Sequence, residues 1–96
     1  MQLTLLTRAY CHLCDEMYEV LEPLAQANGV TVVCIDVDAH PELEEAYGER
    51  VPVLLAGEPH TGLELSHYRL DRARFEAWVA QWRAVGPEVA SEAKIR

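Results

Sequence analysis

The chain has 96 residues, half of them hydrophobic and a quarter charged, which suits one globular domain and not a disordered segment. Eight basic against 16 acidic side chains leave a net charge of −8, and such a surface repels nucleic-acid phosphates and anionic lipid heads. No apolar run approaches the roughly 18 residues of a membrane span. Neither nucleic acid nor membrane is therefore expected as a partner. Met1 leads straight into Gln2-Leu3-Thr4-Leu5-Leu6, with neither the basic region nor the cleavage site of a secretory signal, so a cytoplasmic location is expected.

Leu3 to Leu6 reads as a short buried strand. Beyond the pair Cys11-His12-Leu13-Cys14, apolar residues recur at helical spacing: Leu13, Met17, Val20, Leu21, Leu24 and Ala25. They predict a helix ending near Asn28-Gly29. Pro23 interrupts it, but the stripe continues past, so a kinked helix is expected in place of two elements. Val30 to Ile35 is rich in β-branched residues and almost unbroken in apolarity, as central parallel strands are. Cys34 within it reads as an inert small hydrophobe.

His40-Pro41 opens a short helix with Leu43, Ala46 and Tyr47 on its buried side, and Gly48 closes it. Val51 to Ala56 is a third strand, followed by the turn-rich Gly57 to Gly62. Leu63, Leu65 and His67 then alternate with Glu64, Ser66 and Tyr68, which predicts a fourth strand with two unlike faces. Asp71 is placed to cap a last helix carrying Phe75, Trp78, Val79, Trp82 and Val85 on one face. Gly86-Pro87 stops that helix, giving one domain over 1–87 and a polar tail over 88–96 that is expected to fray.

The order is β-α-β-α-β-β-α, an α/β arrangement. A helix between the early strands implies a parallel crossover and the closing pair implies a hairpin, so the four-stranded sheet is mixed.

The cysteines divide into the close pair and the distant Cys34. In a reducing compartment ordinary thiols stay free, and a close pair points to catalysis or metal. Cys11 falls where the first strand gives way to the first helix, facing unpaired N–H groups and the positive end of the helix dipole. Both stabilise a thiolate, the attacking species. Cys14 sits one turn further along the same face, able to close a disulfide. Arg8 and a protonated His12 favour the Cys11 thiolate, whereas Asp15 and Glu16 oppose it. Half of a zinc site has the same pair, but zinc usually takes four ligands, and Cys34, His40, His60 and His67 are scattered over other elements. No metal or cofactor is therefore expected. Tyr10, beside the nucleophile, reads equally as a partner contact or as a ring packed on the first helix.

The strand, the segment Thr7-Arg8-Ala9-Tyr10-Cys11-His12-Leu13-Cys14 and the helix behind it resemble the active site of glutaredoxins, where a basic residue often stands at the position of Arg8. Ala46 to Leu55 is similar to the thioredoxin-superfamily segment that holds a cis-proline facing the cysteines. Pro52 matches that proline, and Val51 matches the residue whose backbone pairs with substrate. The resemblance covers residues 1 to about 85 and comes nearest to short bacterial glutaredoxin-like proteins with a Cys-His-Leu-Cys motif. It implies a thioredoxin-like fold and a thiol–disulfide oxidoreductase in which Cys11 attacks, Cys14 resolves, and Arg8, Tyr10, His12, Val51 and Pro52 line the substrate site. Its partners would be protein or small-molecule disulfides and an electron donor.

Leu5 stands where thioredoxins keep a buried Asp, which favours the glutaredoxin side of the superfamily. Glutaredoxins usually show Thr-Val-Pro and a Gly-Gly pair, both serving glutathione; here Arg50-Val51-Pro52 and Tyr68-Arg69-Leu70-Asp71 stand in those places. Side chains there obstruct the close backbone approach that glycine permits, so glutathione is expected to be a poor co-substrate, although Arg8, Arg50 and Arg69 offer to hold a carboxylate. Two other classes stay open: a redox-inert interaction module, and a metal or iron–sulfur carrier using the same two cysteines.

Overall fold

The computed structural model describes residues 2–60 and 62–85. The expected Gly86-Pro87 stop and the 88–96 tail lie outside them. Strands β1 (Gln2–Thr7), β2 (Thr31–Asp36), β3 (Val53–Ala56) and β4 (Leu63–His67) form one sheet in the order β2-β1-β3-β4. Helices α1 (His12–Ala27), α2 (Pro41–Tyr47) and α3 (Arg72–Val85) complete the α/β fold, with 3₁₀ turns over Val37–Ala39 and Gly48–Arg50 flanking α2. β1 runs parallel to β2 and antiparallel to β3, and β3 is antiparallel to β4. The sheet is mixed.

Side chains alternate across a strand, so β1 feeds two cores. Leu3 and Leu5, with Leu54 and Leu65, pack against Met17, Leu21 and Ala25 of α1 and Phe75 and Val79 of α3. Leu6, Val53 and Leu55 pack on the other side with Val37, Leu43, Val51 and Cys14. Leu3, Leu5, Leu6, Leu21 and Phe75 are wholly buried, each a gain of about 1.5–3 kcal/mol over leaving it in water. Thr4, buried among them, is satisfied because its hydroxyl donates to the Gly57 carbonyl at 2.6 Å. Asp71 caps α3, its Oδ1 accepting the Arg74 N–H at 3.1 Å.

Several expectations change. Ala46, expected on the buried side of α2, is exposed, and the third strand begins at Val53 and not at Val51. The apolar Val30–Ile35 run does not make a central strand: β2 is an edge, and Cys34 on it is exposed. An unbroken β-branched run marks a strand without saying how many neighbours it has. In α1 the buried stripe is Cys14, Met17, Leu21 and Ala25, while Leu13 and Val20 face outward. Each precedes a buried residue, Cys14 or Leu21, by one position and so points about 100° away from it around the helix. In β4 a register shift opposite Leu54 and Leu55 breaks the strict alternation, and Leu65 and Ser66 are both buried.

Register also decides which loops meet. Thr7 at the end of β1 lies opposite Asp36 at the end of β2, and Leu6 lies opposite Val53 at the start of β3, itself opposite His67 at the end of β4. The segments 8–11, 37–39, 50–52 and 68–71 therefore share one end of the sheet.

Candidate active site

Cys11 is the N-cap of α1, in extended backbone, and its sulfur accepts the Cys14 backbone N–H at 3.1 Å. Its position puts the sulfur on the helix end where N–H groups lack intrahelical partners. Cys11 and Cys14 are joined as a disulfide, their Cα atoms 5.2 Å apart. Cys11 is half-buried and packs against the cluster containing Val51, whereas Cys14 is buried within that cluster. Accessibility thus ranks the sulfurs as the helix position does, with Cys11 outermost.

The Val51–Pro52 peptide bond is cis, and both residues are buried. Pro52 is held by Tyr68, whose N–H donates to the Pro52 carbonyl at 2.9 Å and whose hydroxyl donates to the Glu49 carbonyl at 2.9 Å. Tyr68 has φ 65, a left-handed conformation that ordinarily favours glycine, and its two hydrogen bonds hold it there. Tyr10 shares that conformation, with φ 59, and its ring stands fully in water, so it does not pack on α1. His12 occupies the first exposed position of the helix.

Arg8 does something the sequence did not show. Its guanidinium donates to Asp38 at 2.9 Å and Glu44 at 3.1 Å, and to the Gly48 carbonyl at 3.4 Å. Those two carboxylates raise its pKa above the ordinary value. It therefore ties the segment before Cys11 to both 3₁₀ turns and α2, and a substrate carboxylate would have to displace two resident ones. Arg50 is likewise taken, donating to Glu64 at 2.7 Å and lying over the Tyr47 ring at 5.5 Å. Of the three arginines expected to hold a carboxylate, Arg69 alone lacks a carboxylate partner among the described residues. The acidic run on α2, which reads as a solvated face, supplies through Glu44 one of Arg8's partners. A pairing 36 residues apart leaves no local signal.

Cys34 lines a groove of ≈190 Å³ with Thr7, Arg8, Cys14, Asp15 and Tyr18. Partial burial, and secondarily the Glu22 carboxylate, push its thiol above the ordinary range. His40, His60 and His67 are not gathered to the pair: among the described residues no three His, Cys, Asp or Glu side chains are grouped to hold a metal ion. No helix there is long and apolar enough to cross a membrane.

A mixed four-stranded sheet with three helices and a Cys-x-x-Cys pair at the mouth of α1 defines a thioredoxin-like protein. The thioredoxin of Trichomonas vaginalis superposes with a TM-score of 0.56 at 25% identity, over 83% of this chain and 77% of that one. Protein Ne2328 from Nitrosomonas europaea, solved by NMR, gives a TM-score of 0.70 at 35% identity over 80% and 88% of the two chains. An uncharacterized protein of Mycobacterium tuberculosis is 39% identical over 85 residues, 83% of this chain and 84% of that one. The profile of the glutaredoxin-like domain (DUF836) matches residues 2–80, and the chain belongs to that family.

Proposed function

We propose that this protein is a dithiol–disulfide oxidoreductase that reduces protein disulfides in a reducing compartment, the cytoplasm. The observation that carries the reading is the Cys11 sulfur at the α1 N-cap, accepting a backbone N–H and already bonded to Cys14. Once the pair is reduced, the same N–H and the helix dipole stabilise a Cys11 thiolate. That thiolate attacks one sulfur of a substrate disulfide; the substrate S–S bond breaks, and the first substrate thiolate leaves and takes a proton from water. Deprotonated Cys14 then attacks Cys11 in the mixed disulfide, releasing the second substrate thiolate and leaving the Cys11–Cys14 disulfide. Two electrons have passed to the substrate, and an external dithiol donor restores the pair.

Tyr10, His12, Val51 and Pro52 are the residues we assign to the substrate surface, on their placement around Cys11. Arg8 is assigned to holding the loop. Glutathione is proposed to be a poor donor. Tyr68 stands where a glycine would leave room, fixed by its two hydrogen bonds, and Arg8 and Arg50 are already paired. Two measurements test these assignments. Reduced protein carrying Cys14→Ser and Cys34→Ser, mixed with 5,5′-dithiobis(2-nitrobenzoate), is expected to stall with one thionitrobenzoate on Cys11, read by intact mass. A Cys11→Ser variant that keeps full turnover would overturn the reading. Steady-state rates with dithiothreitol and with glutathione are expected to favour the dithiol; equal rates would return glutathione to the mechanism.

A further inference from the structure

A groove of ≈260 Å³ runs between α1 and the 68–71 segment, starting at Leu13 inside the cysteine motif. Leu13, Met17, Val20, Tyr68 and Leu70 line it together with the charged Glu16 and Arg69, so its wall is mixed. Three of them, Leu13, Val20 and Tyr68, are large hydrophobics that the fold leaves exposed. Tyr10 is another, and nothing within the described chain repays its conformation. A left-handed backbone costs a non-glycine residue on the order of 1 kcal/mol. Tyr68 offsets that with two hydrogen bonds, but the Tyr10 ring touches only water. A fully exposed aromatic ring one residue from a nucleophile is a contact waiting for an outside partner.

Charge narrows the partner. Along its 16 residues α1 carries Asp15, Glu16, Glu19 and Glu22 and no lysine or arginine. Glu22 accepts from the Tyr18 hydroxyl, while Asp15, Glu16 and Glu19 are paired with no cation among the described residues. Glu16 itself lines the groove, and Arg69 is the one cation there. A second copy of this chain brings the same net charge of −8 to an already acidic surface and is disfavoured.

We infer that the groove receives an extended, basic segment of a partner protein. A bulky apolar side chain next to the reacting cysteine fills the space between Leu13, Val20 and Tyr68. Lysine or arginine side chains lie along the acidic flank of α1. The inference rests on the oxidoreductase reading and gives that site its substrate class. Complementary charge of this kind acts chiefly on encounter, so it is sensitive to salt.

The test uses two disulfide-linked peptides of one length, each with a leucine beside its cysteine, one flanked by lysines and the other by glutamates. With dithiothreitol as donor, kcat/KM at low salt is expected to favour the lysine peptide by about tenfold or more, and the ratio to shrink toward unity at 0.5 M salt, where the Debye length falls to about 4 Å. Glu16→Lys combined with Glu19→Lys is expected to collapse or invert that ratio. Replacing the leucine by serine is expected to weaken the lysine peptide severalfold. Equal kcat/KM for the two peptides would overturn the inference and leave the oxidoreductase reading intact. Failure to reduce even 5,5′-dithiobis(2-nitrobenzoate) would sink the oxidoreductase reading. Recognition is then decided separately by fluorescence anisotropy with cysteine-to-serine versions of both peptides, where the same preference is expected and equal binding would refute it. A homodimer seen by sedimentation that dissociates in a Leu13→Glu, Val20→Glu variant would also refute it.

Discussion

The two faces of the sheet are built from the same strands and do different work. On one face Leu3, Leu5, Leu54 and Leu65 close against the long helices α1 and α3, with nothing ionisable in the cluster. On the other, Leu6, Val53 and Leu55 share their cluster with Cys14 and Val51, and Cys11 and Tyr47 pack at its margin. The first face is packing, and it meets the surface of the α1 groove only through Met17 and Leu70. The second joins the core to the reactive pair, so a change there reaches the cysteines through contacts that are also part of the fold. α1 belongs to both: its first turn is in the site's cluster and its later turns are in the other.

The sharpest division is expected from the pair itself. Cys11→Ser should lower disulfide turnover more than a thousandfold, because the other sulfur of the first turn, that of Cys14, is buried, while the thermal midpoint of the reduced protein stays near that of reduced wild type. Turnover surviving in this variant would mean that the reactive group lies elsewhere.

Phe75→Ala probes the opposite face. Phe75 is fully buried between α3 and the sheet, and truncation of such a ring costs about 3–5 kcal/mol. Denaturant unfolding should show that loss, with the iodoacetamide reactivity of Cys11 unchanged in the reduced molecules still folded. A changed Cys11 rate would show that the two faces are not separable.

Arg8→Ala should give the reverse pattern, with little loss of stability but about a tenfold fall in kcat/KM, since freeing the segment before Cys11 from Asp38, Glu44 and Gly48 misplaces the sulfur. Arg8→Lys keeps the charge without the forked contacts and should restore only part. An unaltered kcat/KM in Arg8→Ala would reduce the clamp to a surface ion pair.

Smaller still, Asp71→Ala removes the cap of α3 and should cost about 1 kcal/mol in denaturant unfolding without touching turnover. Last comes Cys34, whose thiol partial burial, and secondarily Glu22, push above the ordinary range. Its alkylation should lag behind that of Cys11 at pH 7 and climb only as the pH rises beyond the ordinary thiol range. Peptide mapping across pH reads this directly, and a Cys34 that labels first at pH 7 would contradict its assigned environment.

Much of this was legible in the residues. Element order followed from hydrophobic spacing and from Pro41, Gly29 and Asp71 at the ends of helices, and these signals are local. Cys-x-x-Cys behind a strand marked the candidate site because the chemistry needs a helix N-terminus at that point. Strand position was not legible: Val30–Ile35 has the apolarity of a central strand and lies at an edge, since composition reports burial potential and not the number of neighbours. Nor was the turn of α1 that leaves Leu13 and Val20 facing water, because a stripe of six apolar residues is wider than the line of helix that meets a sheet.

By itself the sequence determined the α/β order, the cysteine pair at the head of a helix and the acidic balance of the surface, because each depends on neighbours within a few positions or on a sum. Only the tertiary structure decided that Arg8 is held by Asp38 and Glu44, that Tyr68 locks Pro52 while Tyr10 stands free, and that a groove with exposed Leu13, Val20 and Tyr68 begins beside the pair. Those features join segments brought together by strand register, and register is fixed by the whole core at once.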